Sequence, residues 1–68
     1  MKRKNLVKFK IDLGLRSKEM AEKLEISIPY YSNIENGKVD PSFGLMEKFG
    51  EVFKGQYTDL WEIFKKGE

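Results

Sequence analysis

The sequence predicts an all-α domain of five short helices. Three observations carry that expectation. Apolar residues recur at helical spacing in successive segments, as in Leu6, Phe9 and Leu13. Glycines at 14 and 37 and serines at 27 and 42 stand where such segments should stop and start. Residues 16–37 read as a short helix, a three-residue turn and a second helix closed by glycine. In that stretch Met20, Ala21, Leu24, Ile26, Tyr31 and Ile34 are spaced so that the two helices pack at a steep angle and leave the polar face of the second outward. At 68 residues, the chain is expected to make one domain, residues 1–68, with a modest core and little stability to spare for a catalytic cavity.

Each helix has its own signals. Helix 1 is expected from about Arg3 to Leu13, with Gly14 as a left-handed stop. Helix 2 runs over about 17–24. Ser27 is a good N-cap for helix 3, expected over about 28–36, and Pro29 falls in its first turn, where a missing amide proton is harmless. Gly37 closes that helix. After the loop Lys38-Val39-Asp40-Pro41, Ser42 caps helix 4, whose packing face is read as Phe43, Met46, Phe49, Gly50 and Phe53. Gly44 and Gly50 weaken this helix by about 1 kcal/mol each relative to alanine, so tertiary contacts must compensate. A last helix is expected from about Tyr57 to Lys65, with Tyr57, Leu60, Trp61 and Phe64 as its apolar stripe and Ile63 off it.

A polar-faced second helix in such a pair can enter a DNA major groove. The motifs Leu13-Gly14-Leu15, Met20-Ala21-Glu22-Lys23-Leu24, Ile26-Ser27, Tyr31-Ser32-Asn33-Ile34-Glu35-Asn36-Gly37-Lys38 and Pro41-Ser42 go further. By them the chain resembles the phage Cro and repressor type of helix-turn-helix domain, the xenobiotic-response-element family of bacterial regulators, ungapped from about Asn5 to Trp61. The resemblance implies a lambda-repressor-like fold. Two positions depart from the family pattern. The family has Ser or Thr at the cap of helix 2 and Gln next, whereas this chain has Arg16 and Ser17: either Ser17 caps one residue later, or Arg16 holds the cap position without capping. Glu25 stands where the family has a turn glycine, so its backbone tolerates a left-handed conformation at some cost or adopts a different turn.

In this fold the N-terminal half of helix 3 faces the groove, and the positions not committed to the core are Ile28, Pro29, Tyr30, Ser32 and Asn33. Asn33 can pair bidentately with adenine, Ser32 can donate or accept, and Ile28 or Pro29 can pack on a thymine methyl; Arg and Gln, the common bidentate readers, are missing. Sparse direct readout is therefore expected, with DNA shape or half-site spacing adding specificity. Tyr30 either contacts DNA or covers helix 2 or helix 4, while Tyr31 points largely inward. Phosphate contacts are expected from Lys38, from Ser17 and Lys18 at the start of helix 2 and from Lys10, and the resemblance implies that Asn36 and Gly37 offer backbone amides to a phosphate. Several have a plainer alternative: Lys18 as a surface charge, Asn36 and Gly37 as a helix C-cap, and Lys10 in an ion pair with Glu35 that ties helix 1 to helix 3. Lysine lacks the fork of the family's arginine there.

Charge and composition narrow the function. Residues 1–38 hold nine Lys or Arg against five acids, and residues 39–68 four against six, so the DNA-binding half is the basic one. Lys2, Arg3, Lys4, Lys8 and Lys10 suit a phosphate-facing arm or a solubilising terminus. With no cysteine and no histidine, thiol nucleophiles, imidazole bases and the usual zinc sets are absent, and an enzyme, a metal or another cofactor is not expected. No apolar run approaches the roughly 18 residues of a membrane span and no signal-peptide pattern follows the basic start, so neither a membrane nor a small-molecule substrate is expected and a cytoplasmic location is the default. The leading expectation is a repressor that binds a palindromic operator on double-stranded DNA as a homodimer, with Tyr57, Ile63 and Phe64 as the dimer interface, although a continued core stripe also explains Tyr57 and Phe64. The alternative is an antitoxin-like protein-interaction module on the same scaffold with weak DNA readout.

Overall fold

The computed structural model describes residues 1–66. Five helices follow one another: α1 (Lys4–Asp12), α2 (Ser17–Leu24), α3 (Ile28–Glu35), α4 (Phe43–Val52) and α5 (Leu60–Phe64). There is no strand among the described residues. α2 packs on both α3 and α4, while α1 packs on α5 and α3. The α2–α3 pair is thus backed by α4 through α2 and by α1 through α3. None of the helices among the described residues is long and apolar enough to cross a membrane.

Local chemistry sets the boundaries. α1 stops because Gly14 takes φ +72°, which lets its amide donate to the Ile11 carbonyl at 2.9 Å and the Leu15 amide to the Lys10 carbonyl at 3.0 Å. α2 starts after Arg16, whose side chain does not cap; instead the Glu19 carboxylate accepts the Arg16 amide at 2.8 Å and sits at the positive end of the helix dipole. Ser27 Oγ accepts the Tyr30 amide at 3.2 Å and Ser42 Oγ the Leu45 amide at 3.1 Å, starting α3 and α4.

The core is largely aromatic. Phe49 of α4 is fully buried, with ring centroids 5.3 Å from Phe9 of α1, 4.7 Å from Phe53 and 4.9 Å from Phe64 of α5. Tilted and edge-on rings at these distances add attraction beyond the area they bury. Met20, Ala21, Leu24, Tyr31 and Ile34 complete the core from the α2–α3 side.

The last two helices differ from the periodicity reading. In α4 the buried positions are Leu45 and Phe49, followed by the buried C-cap Phe53, with Phe43 78% exposed. Phe43 is the first residue after the Ser42 cap, and the turn there points it away from the core. α5 begins at Leu60 rather than near Tyr57, because the Asp59 carboxylate accepts the Trp61 amide at 2.9 Å and so caps the helix at that point. From that start Leu60, Ile63 and Phe64 face inward at spacings of three and four, and Trp61 turns out to 77% exposure. Phe64 is therefore a core residue and not an exposed interface residue. Tyr57 lies before the helix, half-buried, with its ring centroid 6.0 Å from that of Phe49.

Glu25 closes α2 in the left-handed conformation, φ 60° and ψ 41°. A side chain there costs roughly 1–2 kcal/mol. Its ion pair with Lys48 at 3.3 Å is exposed and contributes only a few tenths of a kcal/mol. Strain relief therefore outweighs the lost pair and the added chain entropy of glycine, and Glu25→Gly is expected to stabilise the fold by about 0.5 kcal/mol, a rise of roughly 2–4 °C in Tm. A thermal melt followed by circular dichroism checks this; an unchanged or lower Tm contradicts the strain assignment.

Candidate nucleic-acid interface

α3 is an eight-residue helix whose two long sides differ in kind. Tyr31, Ile34 and Glu35 are buried, whereas Ile28 and Pro29 are exposed and Ser32 and Asn33 are half-exposed. The outward side carries no charge. It offers an aliphatic and a ring methylene surface at the start of the helix, then a hydroxyl and a carboxamide one turn on. The Asn33 side-chain amide has no hydrogen-bond partner among the described residues, and Ser32 Oγ accepts only a long bond, 3.4 Å, from the Asn36 side-chain Nδ2. Tyr30 is half-buried and packs against the core.

Two exposed lysines lie in the segments before and after this helix. Lys18 lies in the first turn of α2, and Lys38 lies in the loop after α3. The Asn36 and Gly37 amides are occupied by the chain itself, donating to the Ser32 carbonyl at 2.9 Å and the Ile34 carbonyl at 3.0 Å. These two residues form the C-cap of α3, the plainer of their two expected roles. Gly37 takes φ +76°, and a Cβ there would collide with the Met1 carbonyl, because the start of the chain lies directly over it. That close approach was hidden in the sequence, where Gly37 looks like an ordinary helix stop.

Lys10 is bonded within the protein to Ser17 and to Glu35. The Lys10 ammonium sits 2.9 Å from one Glu35 carboxylate oxygen and 3.2 Å from the other, and it donates to Ser17 Oγ at 3.1 Å. Tyr31 donates its hydroxyl to the same carboxylate at 2.9 Å. Glu35 is buried and Lys10 nearly so, so this cluster joins α1, the first residue of α2 and the last turn of α3 behind the outward face. Burial and the adjacent Glu35 charge push the Tyr31 hydroxyl up, which keeps it protonated and a donor. Arg3, read in the sequence with the cationic start, is also turned inward, with 3% exposure. Its guanidinium bonds are within the protein. Among the described residues no group of acidic side chains is placed to hold a metal ion.

A helix-turn-helix family model matches residues 8–60. The chain is 36% identical over 62 residues to an uncharacterized HTH-type transcriptional regulator, YqaF, of Bacillus subtilis strain 168, a match covering 91% of this chain and 82% of that protein. It is 35% identical over 49 residues to the HTH-type transcriptional regulator DdrOP3 of Deinococcus deserti, covering 72% of this chain and 38% of that longer protein. No solved structure matches.

Removing one partner of a buried ion pair strands the other charge in a poorly solvated place, at a cost of about 3 kcal/mol. Lys10→Ala is therefore expected to lower stability by that amount in urea titrations and to leave the salt slope of any DNA binding by the remaining folded protein unchanged. Lys10→Arg retains most of the stability. A Lys10→Ala protein of parental stability with a shallower salt slope would restore Lys10 as a phosphate contact.

Proposed function

The chain belongs to the helix-turn-helix family of transcriptional regulators, of the Cro and repressor type, and from that membership we propose that it is a sequence-specific repressor which occupies a palindromic DNA operator as a dimer. One observation carries the reading: α3 turns an uncharged hydrogen-bonding face outward while its one charged side chain, Glu35, is locked inside, and exposed lysines stand in the first turn of α2 and in the loop after α3. In this reading Ile28, Pro29, Tyr30, Ser32 and Asn33 enter the major groove. Asn33 hydrogen-bonds an adenine edge, Ser32 contributes a single bond, and Ile28 and Pro29 pack on thymine methyls. Lys18 and Lys38 bind phosphates on either side, with the N-terminus of α2 adding its dipole. With no arginine in the reading helix, the weak direct readout of one copy is multiplied by symmetry: a second copy reads a second half-site about 34 Å away.

The surface that pairs the copies in this reading lies on α4 and α5. Phe43 and Trp61 stand exposed on either side of a groove lined by Met46, Glu47, Gly50 and Leu60. A projecting ring beside a glycine-floored hollow fits a two-fold contact, in which the ring of each copy enters the hollow of the other. The two rings supply roughly 350 Å² per copy, about 700 Å² for the pair before their neighbours are counted. That approaches the roughly 1,000 Å² of a small specific interface, so the dimer is weak alone and completed on DNA. α3 packs mainly on α2 and α1, leaving it free while this face is covered. Ile63 and Tyr57, half-buried, contribute at most the border.

Two measurements test the proposal. Selection of bound sequences from a random duplex library should return an A·T-containing palindrome; Asn33→Ala should relax one position in each half, at a cost of about 1–3 kcal/mol, and Lys38→Ala should weaken all sequences alike. No enrichment at low salt would sink the operator reading and favour the protein-interaction module. Separately, Trp61 is the only tryptophan, so its emission should shift to the blue as concentration rises and a dimer forms. Phe43→Lys should abolish that shift and keep the protein monomeric in sedimentation, without lowering its Tm.

A further inference from the structure

The chain's second basic residue does no surface work. Arg3 Nε donates to the Phe64 carbonyl at 2.8 Å; one terminal nitrogen donates to the Ile34 carbonyl at 2.7 Å and the Val39 carbonyl at 3.2 Å; the other reaches the Asp40 carboxylate at 2.8 Å. Its backbone amide donates to the Glu35 carbonyl at 2.8 Å. These acceptors come from the end of α5, the last turn of α3 and the loop that follows it. A planar fork with five fixed donors can join three such places at once, whereas an ammonium cannot.

The loop matters because it carries Lys38. On one side its backbone hangs from α3: the amides of Lys38 and Val39 donate to the Asn33 carbonyl at 2.8 and 3.4 Å. On the other side Arg3 holds the next two residues, the carbonyl of Val39 and the side chain of Asp40. Lys38 is thus an exposed cation on a backbone tethered from both directions, and the second tether ends on a carboxylate that is itself 77% exposed. Lys66 approaches the same carboxylate at 3.3 Å. An exposed acid two residues from a phosphate-binding lysine opposes the approach of DNA by its charge. Its place there is accounted for if it anchors the loop.

We propose that Arg3 and Asp40 are positioning residues for DNA binding: Arg3, without touching DNA, holds the Lys38 loop through Asp40 so that Lys38 meets a phosphate. The inference rests on the DNA-binding reading above and adds to it a clamp outside the reading helix.

Charge and positioning predict opposite signs, which makes the test direct. Asp40→Ala removes an acid from the DNA-facing side, so charge alone predicts tighter binding. A released Lys38 loop predicts weaker binding, by about eightfold at 0.1 M salt, and a salt slope smaller by about 0.9, the equivalent of one phosphate contact. Binding of a labelled mixed-sequence duplex, followed by fluorescence anisotropy over a salt series, reads both. In a Lys38→Ala background the weakening by Asp40→Ala should disappear, a coupling that a general loss of stability would not produce; circular dichroism confirms that each variant is folded. Arg3→Met, measured below its Tm, should reproduce the smaller slope. Parental or tighter binding by Asp40→Ala overturns the clamp, as does equal weakening with and without Lys38. Failure of the parent chain to bind at low salt overturns the DNA-binding reading itself, and the clamp with it.

Discussion

Glu35 puts a negative charge in the last turn of α3, where the helix already carries its negative pole, and then withdraws that charge from water. Both circumstances cost free energy. The remedy comes from the beginning of the chain. Lys10 neutralises the carboxylate, Tyr31 satisfies one of its oxygens from within the same helix, and Arg3 brings a second cation to the end of α3 by bonding the Ile34 carbonyl. α3 has no basic residue of its own in that turn. Its C-terminal end is therefore stable only as assembled with α1, and a helix too short to persist in isolation acquires a fixed orientation.

Much of this architecture was legible in the residues. The α2–α3 pair, the caps at Ser27 and Ser42 and the stop at Gly14 follow from strong local rules that tertiary packing had no reason to override. The pairing of Lys10 with Glu35, one of two roles the residues allowed for Lys10, is present in the fold. The later elements were less legible for a definite reason. α5 has five residues, too few for periodicity to set a phase, so the Asp59 cap determines where the helix begins and which of Trp61 and Ile63 turns inward. In α4, Leu45 took the buried place that spacing alone had given to Phe43, because the register counted from the cap prevails over ring size at the first residue.

Arg3 was the largest misreading and the most instructive. Among five cations in the first ten residues, nothing local distinguishes the buried one, since its partners lie at positions 34, 39, 40 and 64. Bonds that span the length of the chain leave no trace in a window of ten residues. A useful hint is the residue type itself: an arginine among lysines is the side chain able to satisfy several buried carbonyls at once.

Gly37 links two parts of the molecule that are remote in sequence. Its left-handed backbone could also be filled by asparagine in many helix caps, but the carbonyl of Met1 occupies the space a side chain would need. Position 37 and the segment before α1 are thus expected to evolve as a unit. A lineage that loses the leading residues frees position 37 to become Asn, whereas one that keeps them stays confined to glycine. Covariation between the first three residues and position 37, absent from any account of α3 alone, is the trace this packing should leave among relatives.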